Sequence, residues 1–296
     1  GPLEKKRLEA ENIYSLNMIG AREILRLAKD ELSSKTDGVV DKEILAKKEE
    51  YLKRWQTTWD KVAGEQKSIL ELFFNLGLVR SELVGEKIAS DGKSLWVIDK
   101  KLGVVVKLVI ADKKAEVIMG KGEDGGWLDV AATGNRVIAV GNKGLSGIVD
   151  GKKVSGDYDG SVKEVVAGDV FGESIYLLDK GSSEIWKYVV SSSSIGDRRR
   201  WLTAGLIAKL EDGLDLTIDA DIWVLRSGGQ VDRFRRGNRE VFKLSDVPEG
   251  FSPTKVAVSD SSMMVALLDS SRNRVVLFDK KTGGYAKQLT NNDLSR

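Results

Sequence analysis

The stretch ALLDSSRNRVVLFDKKTGGY, residues 266–285, reads as two short strands and two tight turns. Apolar residues run up to Asp269, SSRN interrupts them, VVLF resumes, and KKTGG turns the chain again. Branched and aromatic residues between clusters of Gly, Ser, Asn and Asp mark a hairpin. Four other stretches share the texture: SLWVIDKKLGVVVKLV (94–109), RVIAVGNKGLSGIVD (136–150), SIYLLDKGSSEIWKYVV (174–190) and DIWVLRSGGQVDRFRRG (221–237). Anchored on Trp96, Ile138, Tyr176, Trp223 and Val265, the copies recur at intervals of 42, 38, 47 and 42 residues. A period of roughly 40–45 residues with four strands per copy is the signature of β-propeller blades.

The flanking sequence supplies the missing strands. Upstream of each hairpin lies KIAS (87–90), LDVAAT (128–133), KEVVAGD (163–169), GLDLTI (213–218) or TKVAVS (254–259). Downstream come runs such as AEVIMG (115–120) and REVFKLS (239–245). Blades are expected near 86–120, 126–156, 163–205, 207–246 and 252–290. A propeller must protect its end blades from exposing sheet edges. LVRSELV (78–84) is therefore expected to add a strand after YAKQLT (285–290). A degenerate copy around LGLVRSELV would raise the count from five blades to six.

Residues 1–78 differ in kind. They hold five of the 31 glycines, with 14 Lys/Arg and 14 Asp/Glu, a helical composition with a balanced, solvated surface. Tyr14, Met18, Ala21, Leu25, Ala28 and Leu32 step by four and three, and Ile24 and Leu27 widen the stripe. SSKTDG (33–38) breaks it, and Asp41 can cap a second helix. Leu45, Leu52, Trp55, Trp59, Val62, Gln66, Ile69 and Phe73 keep near-heptad spacing up to Leu76-Gly77. The expected fold is mainly β with an N-terminal α segment. An antiparallel helical hairpin or stalk spans 1–78, and a small, five-bladed propeller spans 79–296. Trp55 and Trp59 read either as a partner-binding face or as core against the first helix.

Composition removes whole classes of chemistry. The chain has no Cys and no His. Thiol nucleophiles, disulfides, Ser-His-Asp relays and the usual zinc or iron sites are excluded. Carboxylate, Lys, Tyr or Arg chemistry, or an all-oxygen calcium or magnesium site, remains. A net charge of +2 advertises no global basic field. No apolar run approaches the roughly 18 residues of a membrane helix, and none of the residues present reads as a signal peptide. Gly1-Pro2 has the look of a cleaved tag, so the natural chain is expected to begin upstream of Leu3.

LLDSSRNRVVLFD (267–279) resembles the NHL repeat, through Asp269, Asn273, Arg274, Val275 and Phe278. Asp179, Glu184, Ile185 and Tyr188 match it more weakly. Across most of its length the chain also resembles the C-terminal part of bacterial membrane-anchored proteins with a PP2C-type phosphatase-like domain. ARE-ILRLAK (21–29) and the WVID and YLLDK turns carry that similarity. It implies a propeller outside the membrane and a phosphatase-like domain inside.

Other motifs divide between chemistry and turns. GKGEDGG places Gly120, Gly122 and Gly125 at dinucleotide-fingerprint spacing, but a strand-like run follows where a helix is needed. SGDYDG (155–160) lacks the Glu of a calcium loop, since Val166 stands there. EDGLDLTIDAD (211–221) would put Asp215, Asp219 and Asp221 on one face of a regular strand, a conceivable calcium site. No catalytic, metal or cofactor-binding set is assigned. RRRW and RFRRGNR supply Arg198, Arg199, Arg200, Trp201, Arg233, Phe234, Arg235, Arg236 and Arg239. Arg beside aromatics suits a single-stranded nucleic acid or other polyanion, by phosphate contact and stacking. A solvated blade edge, where Arg discourages edge pairing, is the other reading.

The leading expectation is a non-enzymatic binding, sensing or scaffolding module on the extracytoplasmic side of a bacterial membrane. It would engage a protein or polyanionic ligand through propeller loops, with possible self-association through the helices. An NHL-like adaptor that binds RNA or another polyanion is the first alternative. A calcium-dependent propeller hydrolase is the second.

Overall fold

A computed structural model describes residues 1–121 and 126–292. Its first helix, α1 (Pro2–Ile13), opens with a proline where a missing N–H costs nothing. Asn17 Oδ1 accepts from Gly20 N at 2.9 Å and caps α2 (Met18–Lys35). Asp41 Oδ1 accepts from Glu43 N at 2.8 Å and caps α3 (Lys42–Ala63). Ala10, Ala21, Leu25, Leu32, Tyr51, Trp55 and Val62 form their shared core.

The N-terminal segment thus corrects the expected hairpin to three helices. Half of PLEKKRLEAENI is charged, and Ala10 is its one buried residue, so it shows no stripe. The stripe on α2 runs through Ala21, Leu25, Ala28 and Leu32; Leu27 is exposed, and the Met18 side chain lies outside the described set. The third helix stops at Ala63, because Gly64 adopts the left-handed cap at φ 60°. Gln66, Ile69 and Phe73 therefore leave the heptad. Trp55 packs on α2, with Nε1 donating to Leu25 O at 2.8 Å, and stacks on Trp59 at 5.1 Å.

After β1 (Glu65–Lys67) come five four-stranded antiparallel blades. Blade 1 is β2 (Lys87–Ser90), β3 (Ser94–Asp99), β4 (Val104–Val109) and β5 (Ala115–Met119). Blade 2 is β6 (Trp127–Thr133), β7 (Arg136–Gly141), β8 (Gly144–Val149) and β9 (Lys152–Asp157). Blade 3 is β10 (Val165–Phe171), β11 (Ser174–Asp179), β12 (Glu184–Val190) and β13 (Ile195–Arg200). Blade 4 is β14 (Gly213–Ile218), β15 (Ile222–Arg226), β16 (Val231–Arg235) and the short β17 (Asn238–Glu240). Blade 5 is β18 (Lys255–Ala257), β19 (Met264–Asp269), β20 (Arg274–Asp279) and β21 (Tyr285–Thr290). The chain is a five-bladed β-propeller preceded by helices. Counting back from the ends of the second strands, Ala266 rather than Val265 matches Trp96, Ile138, Tyr176 and Trp223.

In blades 1, 3 and 5 a turn aspartate staples the blade to the chain entering it. Asp99 accepts from Leu102 N and Val84 N, both at 2.8 Å. Asp179 takes the backbone N–H groups of Lys163 and Glu164, the Ser182 hydroxyl and Trp186 Nε1. Asp269 accepts from Ser252 N and from Arg274, buried beside it. The D-turn-NR pattern of the sequence is thus a structural clasp in blade 5.

Apolar clusters fill the junctions 1–2, 2–3, 3–4 and 4–5, around Trp127, Trp186, Phe234 and Phe278 respectively. The face of blade 1 turned away from blade 2 is covered by Leu76, Val79 and Leu83, which lie on Val104 and Val106. This corrects the expected closure. Blade 5 already owns four strands, so 78–84 is not needed there; residues 76–78 form a 3-10 turn instead. A fifth strand does join blade 5, but it is β1, running parallel to β21 with Glu65 opposite Gln288.

Candidate functional site

The arginine motifs fall on outer strands. Arg198, Arg199 and Arg200 lie on β13, Arg233 and Arg235 on β16, and Arg239 on β17. Most are already engaged. Arg198 pairs with Asp159 at 2.7 Å and lies over the Trp186 ring. Arg200 pairs with the buried Glu184. Arg233 and Arg235 both grip Asp221. Arg239 bonds Asp232 and the carbonyl of Ala208. Arg199 and Arg236 are the two exposed members with no acidic partner among the described residues. Phe234 is fully buried in the blade 3–4 core, and Trp201 is half-buried edge-on to Tyr176. The stacking platform expected from Phe234 is therefore corrected: its period-2 place on β16 points inward.

The aspartates of EDGLDLTIDAD do not converge either, because β14 ends at Ile218. Asp215 bonds Lys255, Asp219 bonds Lys280 and Trp223 Nε1, and Asp221 holds its two arginines. Of the GKGEDGG glycines, Gly122 and Gly125 lie outside the described residues.

Two features escaped the sequence reading. The first is a charged lining on the inner strands. One register position, opposite the penultimate residue of each second strand, carries Lys87, Asp129, Ala167, Asp215 and Lys255. Lys87 lies 3.7 Å from Asp129, and Lys255 lies 2.7 Å from Asp215. Burial pulls Lys87 down to about 8 and pushes Asp129 up. Burial also acts to lower Lys255, but Asp215 and Asp129 outweigh it and its pKa is raised. Each carboxylate also caps the next inner strand: Asp129 accepts from Gly168 N, Asp169 from Ile218 N, and Asp215 from Val256 N. Aligning the upstream strands on their charges, KIA, DVA, DLT and KVA, is the signal that would have found it.

The second feature is the seam between blades 5 and 1. Residues 68–84 cross it, tied at one end by Ser68 N to Thr290 O at 2.9 Å. Along this crossing Ile69 is 90% exposed, Leu72 81% and Leu78 78%, with Val84 and Ile88 also open to solvent. Phe73 is covered in part by Lys113, 4.7 Å from its ring. The face of blade 5 away from blade 4, including Ala266, Leu268 and Leu277, is half-buried.

No family model matches the sequence, and no curated protein matches it. Solved structures do. A chain of the nidogen/laminin complex aligns over 71% of this chain and 81% of its own, with a TM-score of 0.55 and 13% identity. YCF48 bound to D1 peptide aligns over 69% and 68%, at a TM-score of 0.49 and 9% identity. A protein of unknown function from Bacteroides caccae aligns over 68% and 73%, at 0.47 and 13%. At such identities the first likeness is one of fold, and it agrees with the propeller described above.

Proposed function

We propose that this chain is a non-enzymatic binding or scaffolding module that contacts a protein partner across the blade 5–blade 1 seam. One observation carries the reading: Ile69, Leu72, Leu78, Val84 and Ile88 stand in solvent where the other blade junctions bury their large apolar side chains. Several large apolar side chains left exposed along one segment favour an interaction site. The absence of His and Cys from the sequence, and the pairing of the inner-strand aspartates with lysines, support a non-catalytic role. The similarity to membrane-anchored phosphatase-like proteins supports placing the module on the extracytoplasmic side of a bacterial membrane. No helix among the described residues is long and apolar enough to cross one.

The test is photocrosslinking in the native host, with the probe amino acid at Leu72 or at Arg199. A discrete protein adduct from Leu72, lost in Ile69→Asp, is the expected result. Nucleic acid captured from Arg199, with nothing from Leu72, would transfer the function to the polyanion-binding alternative.

A further inference from the structure

Between the outer halves of blades 1 and 2 lies a cleft of about 540 Å³. It has a definite cause in the repeat. The third-strand residue opposite the fifth-from-last position of the second strand is Tyr188 in blade 3, Phe234 in blade 4 and Phe278 in blade 5. In blade 2 that residue is Ile148. Two residues earlier, blade 3 has Trp186, which plugs its junction with blade 2; the equivalent in blade 2 is Ser146. The wall of the cleft is thus built from small residues, Gly141 and Gly144 with Ser146 opposite Ser155. Its smallness is built into the sheet: a Cβ on Gly144 would come within 2.7 Å of Gly156 O. Glycine inside a strand commonly marks a close approach by a ligand or another backbone.

The rest of the cleft has its own character. Trp127 lines it, held by Nε1 donating to Gly103 O at 2.9 Å. Among the described residues, Lys121, Lys143, Lys153 and Asp157 line it. Lys121 and Lys153 are exposed and have no ion-pair partner among the described residues. Gly120 of the first glycine motif and Ser155 of SGDYDG, set aside separately as turns, meet here. The size falls within the range of small-molecule sites.

We propose that this cleft binds a small aromatic carboxylate. Its ring occupies the space that Trp186 fills at the next junction, and its charge is met by Lys121 and Lys153. The site is independent of the seam and of any protein partner there.

Titration of the whole chain with naphthalene-2-carboxylate, followed by amide NMR, tests it, with the neutral carboxamide as control. The expected result is saturable shifts at Gly144, Ser146 and Ser155, with a dissociation constant of about 1 mM or tighter. Lys121→Gln and Lys153→Gln should each weaken the carboxylate about twofold to fivefold and leave the carboxamide unchanged. Ser146→Trp should abolish binding by supplying the missing plug; Ser155→Leu replaces it if the tryptophan disturbs folding. Absence of saturable shifts, equal binding of the carboxamide, or undiminished binding in the plugged variant overturns the proposal.

Discussion

Lys255 Nζ sits 2.7 Å from Asp215 Oδ1, joining the inner strands of blades 5 and 4. Asp215 is 5% exposed, and its other oxygen accepts from Val256 N at 3.0 Å. Removing one partner of a buried pair strands the other charge, whereas replacing both with apolar groups need not cost much. Asp215→Leu should therefore destabilise by about 2–4 kcal/mol, reduced from the fully buried case because Lys255 keeps solvent contact. Adding Lys255→Met should recover part of that loss. Urea denaturation of the two singles and the double gives the coupling directly. A double variant no better than additive would show the pair does not act as a unit.

Asp221 serves two guanidiniums, Arg233 and Arg235, from a nearly buried position. Asp221→Ala should cost about 2–4 kcal/mol in chemical denaturation. Arg199→Ala and Arg236→Ala should each stay within about 0.5 kcal/mol of the parent. A matching loss at Arg199 and Arg236 would mean the arginine edge is structural throughout.

Much of the propeller is legible in the sequence because blade strands alternate short apolar runs with turn residues at a fixed period. Trp96, Ile138, Tyr176 and Trp223 fall at equivalent positions for that reason. What periodicity does not reveal is where a side chain's charge goes. The arginines of RFRRGNR read as a ligand surface because sequence shows the cations on β16 and not Asp221, twelve residues from Arg233, that neutralises them. Phe234 was placed with them by adjacency, although alternation turns it into the core. The inner-strand charges escaped for the opposite reason: Lys87, Asp129, Asp215 and Lys255 are single residues spread over four blades, and only register brings them together. The third helix was overextended because heptad spacing continues past Gly64, while a left-handed glycine ends the helix whatever follows.

Gly64 makes the joint between helices and propeller. It sits at φ 60°, and a Cβ there would meet Ala286 O at 3.0 Å. Its carbonyl accepts from Gln288 N at 2.9 Å, just where β1 begins to pair with β21. Gly64→Ala should destabilise by about 1–2 kcal/mol through backbone strain and crowding together. Hydrogen exchange should show the loss first at residues 65–67 and 286–290. Faster exchange confined to the body of α3 would instead make the effect one of helix termination alone.

Asp169 gives the fold a pH dependence whose sign can be worked out. Burial pushes its pKa up to about 6, against the lowering effect of bonds from Ile218 N, Val170 N and the Thr217 hydroxyl. The unfolded value is near 3.9, so between roughly pH 4 and 6 the native state holds more protons than the unfolded one. The stability tied to this group is complete below the unfolded value and is lost as pH rises through the native one. Asp129, also raised by burial, contributes with the same sign. Asp169→Asn keeps an oxygen to accept from Ile218 N and removes the buried charge. It should be more stable than the parent at pH 7.5 by about 1–3 kcal/mol, and about equal to it at pH 4. Urea titrations across pH 4–7.5 measure both limbs. An unchanged slope in Asp169→Asn would assign the dependence to Asp129 instead, whose pKa burial also raises.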